Sequence, residues 1–338
     1  MDEDRALELL QLAERAEPHL YGPDQRAWRA RLNEAADELS RALGLFLDHG
    51  NGDAALRLAG ALRLFWMDTG RVDQGRGWLG AALAAHDGSS SLARVRALVA
   101  AGELAFRQGD QAAARSWTTQ SLEQAQLLGH PWTVALAHTN LARIALRDGD
   151  AGAIQRHAQA GIEASGEDLY ARSRAVHMLA WAAHTAGDLA RARALFVDSL
   201  ELRRRLGDRL GQAVELSNLG DLARGAGEAG AAGELLLGAL EIAAELDSRY
   251  LLPGLLASLA VLAGERGDLE RAVRLLGASQ ASYEAAGLVP DPVDADDPDR
   301  MRAVALDRLG ADRFARLWEE GRHLSLDRAV AQARGVAG

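Results

Sequence analysis

Residues 171–205 read ARSRAVHMLAWAAHTAGDLARARALFVDSLELRRR, and this stretch decides the fold. Its apolar side chains recur at intervals of three and four residues on both sides of a Gly187-Asp188 step. That spacing predicts two amphipathic helices joined by a tight turn. Glycine accepts the left-handed backbone at which helices end, and aspartate can cap the helix that follows. Because one such pair cannot bury its apolar face alone, the stretch predicts neighbouring helix pairs.

The same turn recurs along the chain at intervals of 38 to 40 residues. A constant period of this length is the signature of a solenoid built from helix pairs. We number each helix pair so that its turn glycine is at position 15. The two helices cross at position 8, which must therefore carry a small residue. It is Gly or Ala in every pair except the first. The departures from the pattern are Arg63, Thr118 and Ile154, which predict local irregularity. The turn glycines are Gly70, Gly109, Gly149, Gly187, Gly227 and Gly267.

In this register the helix pairs resemble the tetratricopeptide repeat (TPR). The matching positions are 7, 8, 20, 24 and 27, which in the stretch quoted above are Leu179, Ala180, Ala192, Phe196 and Ser199. The resemblance implies an all-α fold, a right-handed superhelical α-solenoid of about six TPR-like helix pairs with helical caps at both ends. It also implies that the first helix of each pair lines a concave groove.

The chain is predicted to divide into four segments. Residues 1–50 form N-terminal capping helices, and residues 51–286 form the six repeats. Residues 287–299, GLVPDPVDADDPD, are rich in proline and aspartate and predict an exposed acidic loop. Residues 300–338 are predicted to form helices that cap the other end, with Ser325 as the N-cap of the last one.

Both flanks resemble parts of a larger kind of protein. Residues 16–43, AEPHLYGPDQRAWRARLNEAADELSRAL, resemble the segment that follows the ATPase module in large bacterial transcriptional regulators of the LuxR and antibiotic-regulatory types. Residues 309–333, LGADRFARLWEEGRHLSLDRAVAQA, resemble the C-terminal end of the repeat domain of the same regulators. The resemblance implies a cytoplasmic sensor domain in transcriptional regulation or signalling, with an ATPase regulator as a further partner. The phosphate-binding loop and the DNA-binding helices of those regulators are not found in the sequence. The chain is therefore either a free-standing relative or a fragment.

Composition excludes several classes of function. The 338 residues carry a net charge of −10, which argues against direct nucleic-acid binding. The chain has no cysteine, which fits a reducing cytoplasm and excludes thiolate chemistry. It also has no lysine, so neither a Schiff base nor a phosphate-loop lysine is available, and no cofactor is predicted. No secretory signal or membrane-length apolar run is found.

Polar and aromatic residues concentrate at the groove positions of the second to fifth repeats. Asparagine can donate to and accept from a peptide backbone, and arginine can bind a carboxylate through two parallel hydrogen bonds. Trp181 offers a flat surface of the kind that dominates binding energies. The sequence therefore predicts that a peptide, protein segment or small ligand binds in the groove. The candidate ligand-binding residues are Arg96, Glu103, Arg107, Asn140, Arg143, Arg147, Arg174, His177, Trp181, His184, Asn218, Asp221 and Arg224.

The sequence leaves three other interpretations open. These polar residues can be a solvated face with no specific role, or the chain can self-associate through another surface. A third interpretation is a groove enzyme of secondary metabolism with His177, His184, Asp221 and Glu103 as acid–base groups. No catalytic residue and no metal site is predicted, because His177 and His184 lie about 10 Å apart along a helix.

Overall fold

The computed structural model describes residues 1–336, with side chains at all of these positions except 292–294. Within residues 1–336 the chain consists of helices and turns, without a strand. It divides into two compact units, Met1–Met67 with Arg71–Arg209, and Asp68–Gly70 with Leu210–Gly338. No helix in the described part is long and apolar enough to cross a membrane.

The first unit contains an N-terminal cap and four helix pairs. The cap consists of α1 (Glu3–Ala16), a 3₁₀ helix (Glu17–Tyr21), α2 (Gln25–Glu34) and α3 (Ala36–Asp48). The pairs are α4 (Gly52–Ala61) and α5 (Arg63–Asp68) with α6 (Val72–Ala85), α7 (Leu92–Arg107) with α8 (Gln111–Leu127), α9 (Pro131–Arg147) with α10 (Ala151–Ser165), and α11 (Leu169–Thr185) with α12 (Leu189–Leu206).

The second unit contains two helix pairs and three further helices. The pairs are α13 (Arg209–Gly225) with α14 (Ala229–Glu245) and α15 (Leu252–Glu265) with α16 (Leu269–Ala286). The further helices are α17 (Pro292–Leu309), α18 (Ala311–Arg322) and α19 (Leu326–Arg334). Ser325 caps α19 as predicted, because its hydroxyl accepts a hydrogen bond from the backbone N–H of Arg328.

The turns have the geometry that the sequence predicts. All six turn glycines have a positive φ, from 70° at Gly70 to 92° at Gly267. In four of the turns the aspartate that follows accepts a hydrogen bond from the backbone N–H three residues further on, as Asp188 does from Arg191. The helix-pair architecture and its period are therefore confirmed.

The small residues at position 8 lie where two helices of a pair cross. A Cβ atom at Gly220 would lie 2.8 Å from Cγ of Leu236, the residue at position 24 of the same pair. A Cβ atom at Gly102 would overlap the hydroxyl of Thr118, again at position 24. These contacts explain why glycine occupies both positions.

The local irregularity predicted at Arg63 is confirmed, whereas the prediction for the acidic segment is corrected. The first helix of the first repeat is split, since α4 ends at Ala61 and α5 begins at Arg63. Residues 287–299 are not wholly a loop, because α17 begins at Pro292 and contains Pro298. Proline is well tolerated in the first turn of a helix. Pro298 lies inside the helix, beyond its first turn, and Ala305 on the same helix is buried against Val273 and Leu317.

Candidate functional site

The first helices of the repeats form a continuous inner layer in the first unit. α4 contacts α7, α7 contacts α9, and α9 contacts α11, while α8 and α10 each contact the first helices on either side. Side chains that project from the free face of α5, α7, α9 and α11 therefore share one surface, called here the inner face.

A buried ion-pair cluster lies on this inner face, with Glu103 of α7 at its centre. Nη2 of Arg174 on α11 lies 2.7 Å from Oε1 of Glu103, and Arg63 of α5 binds the other carboxylate oxygen. Arg63 also donates a hydrogen bond of 3.1 Å to the hydroxyl of Tyr170, at the start of α11. Residues from the first, second and fourth repeats therefore meet at one point.

The charges of the cluster hold Glu103 ionised. Burial by itself raises the pKa of Glu103, but the positive charges of its arginine neighbours outweigh burial and hold this pKa well below its usual range. The arginines that act in this way are Arg174, Arg63, Arg143 and Arg107. A carboxyl group held ionised and doubly paired in this way does not serve as a general acid, so the structure does not support Glu103 in the enzyme interpretation.

Arginine is concentrated around Glu103. Besides the paired Arg174 and Arg63, the guanidinium groups of Arg143 and Arg107 lie near enough to lower the pKa of its carboxyl group. A fifth, that of Arg147, lies 4.8 Å from the centroid of the Phe106 ring on the same face. Guanidinium groups in this density attract carboxylates and other anions. The sequence predicted these arginines as exposed groove residues, whereas Arg107 and Arg143 are buried in the structure.

Asn140 of α9 is also buried on this face. Its Nδ2 donates a hydrogen bond of 3.2 Å to the carbonyl of Val99 on α7, and its Oδ1 has no partner among the described residues. The predicted donor of this asparagine is therefore used within the fold. Its oxygen is enclosed in the fold as an acceptor without a hydrogen bond among the described residues.

The aromatic residues of α11 pack against α12 of the same repeat. The Trp181 ring meets the buried Phe196 edge to face, with centroids 5.6 Å apart, and His177 meets Phe196 at 5.7 Å. His184 packs against Trp181 at 5.0 Å, and its burial lowers its pKa. Trp181 is therefore a half-buried packing residue rather than the open flat anchor that was predicted.

No group of three or more potential metal ligands occurs among the described residues.

Three predicted site residues, Asn218, Asp221 and Arg224, belong to the second unit, and each has polar partners there. Arg224 lies 2.8 Å from Glu265 and also pairs with Asp297, while Asp221 accepts a hydrogen bond of 3.0 Å from Ser258. Asn218 lies 3.4 Å from Glu215 on the same helix. Burial raises the pKa of Asp221 despite the nearby charge of Arg224.

Arg96 lies on the first-unit inner face and pairs with Glu17 of the 3₁₀ helix. Its guanidinium carbon is 5.3 Å from the Trp132 ring centroid. A cavity of about 230 Å³ adjoins this pair and is also lined by Leu56, Arg57 and Leu92.

Three residues of the inner face were not in the predicted set: Arg63, Tyr170 and Tyr21. Arg63 carried a signal, because it stands at a position that the repeat reserves for a small residue. Tyr170 and Tyr21 carried no such signal in the sequence. They matter because their rings stack on each other, with ring centroids 3.9 Å apart.

A histidine pair between α9 and α10 leads to a prediction about pH. Nδ1 of His138 lies 3.1 Å from Nδ1 of His157, and burial, with a smaller contribution from His157, lowers the pKa of His138 to about 4. Unfolded chains take up this proton near pH 6.5, so stability falls as the pH decreases from 6.5 to 4. We expect His138→Gln to remove about 1–2 kcal/mol of this acid-dependent loss, less than the full shift because the ring is partly exposed.

Urea denaturation between pH 7 and 4.5 measures this effect as the difference between the wild type and the variant. His49→Gln, at an exposed position, is the control and should follow the wild type. If wild type and His138→Gln lose the same stability over this range, the pair does not titrate as described.

No family model matches the sequence, and no curated protein matches it. Among solved structures it is similar to a Rap protein complexed with competence and sporulation factor, with a TM-score of 0.59, 14% identity and 99% of both chains covered. It is also similar to the APC/C hetero-tetramer Cut9–Hcn1, with a TM-score of 0.52, 15% identity and coverage of 87% of this chain and 55% of that one.

These similarities establish the class of fold. The chain has the TPR-like helical-repeat fold that the sequence predicts, because the similarity to the Rap protein extends over its whole length. Identities of this size show the fold alone. The resemblance of the flanks to LuxR-type regulators stays a prediction.

Proposed function

We propose that the chain is a non-enzymatic binding module that takes up an extended peptide or protein segment bearing a carboxylate on the inner face of its first unit. The observation that supports this most is the concentration of arginine on this face, where Arg63 and Arg174 bind the two oxygens of Glu103 and Arg96 binds Glu17. Guanidinium groups bind carboxylates through charge-assisted hydrogen bonds, and this face already pairs them with carboxylates of the chain itself. A ligand carboxylate would be bound by the same chemistry.

The surroundings of the cluster fit a peptide better than an isolated anion. Arg96 and Trp132 extend the polar and aromatic surface along the face, which gives a peptide side chains to contact on either side of its carboxylate. The similar Rap protein was crystallised with competence and sporulation factor, which supports a binding role for this architecture. We place the module in the cytoplasm, as a sensor in transcriptional or pathway regulation, with an ATPase acting in trans as a further partner.

Binding of short peptides to the purified chain tests this function. An array of ten-residue peptides with and without Glu or Asp should show retention of acidic members only. We expect the double variant Arg143→Gln/Arg147→Gln to bind acidic peptides about 10- to 100-fold more weakly, since a hydrogen bond to a charged group contributes about 1.5–3 kcal/mol.

Arg204→Gln is the matched control, because Arg204 is an exposed arginine on the second helix α12 and its loss changes the net charge without touching the inner face. Equal retention of acidic and neutral peptides by the wild type would overturn the proposal. An equal loss of affinity for acidic peptides in Arg204→Gln and in Arg143→Gln/Arg147→Gln would also overturn it.

A further inference from the structure

Residues 17–25, called here the N-terminal strap, lie across the inner face of the first unit. Glu17 pairs with Arg96 of the second repeat. The ring of Tyr21 stacks on that of Tyr170 in the fourth repeat, with an interplanar angle of 20°. Nε2 of Gln25 donates a hydrogen bond of 2.8 Å to Asp208, just after the fourth repeat.

These contacts differ from those of a terminal cap. α1 and α3 contact α4 of the first repeat, as a cap does, whereas the strap reaches the second and fourth repeats. Pro18 in the 3₁₀ helix and the Gly22-Pro23 step keep the strap out of a continuous α-helix, so that it follows the inner face in a turn-rich conformation.

The strap brings to the inner face the groups that this face is built to bind. Glu17 is 7% exposed, and a carboxylate so buried needs a positive partner, which Arg96 provides. Its charge also acts on Arg63 and favours the charged form of that guanidinium. Burial, together with Tyr170 and Glu17, raises the pKa of Tyr21, so its hydroxyl stays neutral.

We propose that the strap is an internal ligand, and that the external partner is a peptide that presents an acidic side chain and, four residues later, an aromatic side chain, and binds by displacing the strap. The juxtaposition of Glu17 on Arg96 and Tyr21 on Tyr170 supplies this pattern. The inference rests on the proposed function, since it names the partner and the regulation of the same inner face.

Displacement has a measurable consequence. A tethered ligand competes at a high effective concentration, and the apparent affinity for an external peptide falls in proportion to the fraction of molecules with the strap released. The cavity of about 230 Å³ beside Glu17 and Arg96 gives an incoming peptide a first point of contact. Weakening the strap should therefore tighten binding in trans.

The experiment uses the full chain and a fluorescein-labelled decapeptide that copies residues 16–25, AEPHLYGPDQ. By fluorescence anisotropy we expect Glu17→Gln to bind this probe at least tenfold more tightly than the wild type does, because the nearly isosteric amide loses the ion pair with Arg96 and keeps its packing. Tyr21→Ala should have an effect in the same direction. The matched control Glu34→Gln removes an exposed carboxylate on α2 and should bind as the wild type does.

Two further measurements define the result. A probe in which the Glu and Tyr are replaced, AQPHLAGPDQ, should bind Glu17→Gln at least tenfold more weakly than the original probe does. Adding the original probe to the wild type should speed amide hydrogen exchange in residues 17–25. Thermal unfolding shows which variants are folded. If Tyr21→Ala does not fold, the result for Glu17→Gln decides the outcome.

The two proposals fail in different ways. If acidic peptides bind the wild type through Arg143 and Arg147 but Glu17→Gln binds the probe no more tightly, the strap is only structural and the proposed function stands. If no acidic peptide binds the wild type or either strap variant, the proposed function fails and the internal ligand with it.

Discussion

Replacing Glu103 by alanine is expected to lower the free energy of unfolding of the first unit by about 3–5 kcal/mol. Its two carboxylate oxygens bind Arg174 and Arg63, whose side chains are only 11% and 4% exposed. Without the carboxylate these two guanidinium groups stay buried and lose their anionic partner. A buried charge left in this state destabilises a fold by more than the intact pair stabilises it.

Guanidinium chloride denaturation at pH 7, followed by circular dichroism, measures the loss, and hydrogen exchange assigns it to the first unit. Glu123→Ala is the control, because Glu123 is exposed on the second helix α8 and its removal should change stability by no more than about 0.5 kcal/mol. A loss of less than about 1 kcal/mol for Glu103→Ala would show that the arginines find other compensation.

The isosteric variant Glu103→Gln gives a second readout that depends on pH. The pKa of Glu103 is lowered in the folded state from an ordinary value of 4.5, because its arginine neighbours outweigh its burial. The contribution of Glu103 to stability is therefore complete above pH 4.5 and is lost as the pH falls below it. The difference in stability between the wild type and Glu103→Gln should thus shrink in acid.

The repeat architecture could be predicted because it depends on single residues with strict requirements. A left-handed turn such as that at Gly187 favours glycine, and a helix crossing such as that at Gly220 excludes a larger side chain. These requirements recur with the period of the repeat, so they can be recognised in one sequence. The face on which Arg143 and Arg174 lie follows in the same way from their positions in the helices.

The pairing within the site could not be predicted in this way. Arg63 and Tyr170 are 107 residues apart, and their contact depends on how strongly the inner face curves over four repeats. Small crossing angles between helices set that curvature, and the hydrophobic pattern does not record them. The same reason explains why Glu103 was predicted to be exposed and is buried, and why Tyr21 was overlooked.

Replacing Gly321 by alanine is expected to destabilise the second unit by about 2–3 kcal/mol. Here α18 crosses α16 with the two backbones in contact: a Cβ atom at Gly321 would overlap the carbonyl oxygen of Arg274 and lie 2.8 Å from its Cα. Gly277 on α16 is in the reciprocal position, since a Cβ there would overlap the carbonyl oxygen of Trp318 on α18. A backbone atom cannot rotate away as a side chain can, so the helices must move apart.

The separation would also loosen the packing between these helices, where Val273 and Leu317 are buried together. Gly230→Ala in α14 is the matched control, because no atom lies within 4 Å of the added methyl group and alanine is the better helix former. Because Gly230 lies in the first turn of α14, that variant should be as stable as the wild type or slightly more stable. Thermal and urea unfolding of the wild type and both variants measure how each substitution changes the free energy of unfolding. If Gly321→Ala is as stable as Gly230→Ala, the backbones of α16 and α18 do not lie in contact, and the C-terminal helices pack on the last repeat in another way.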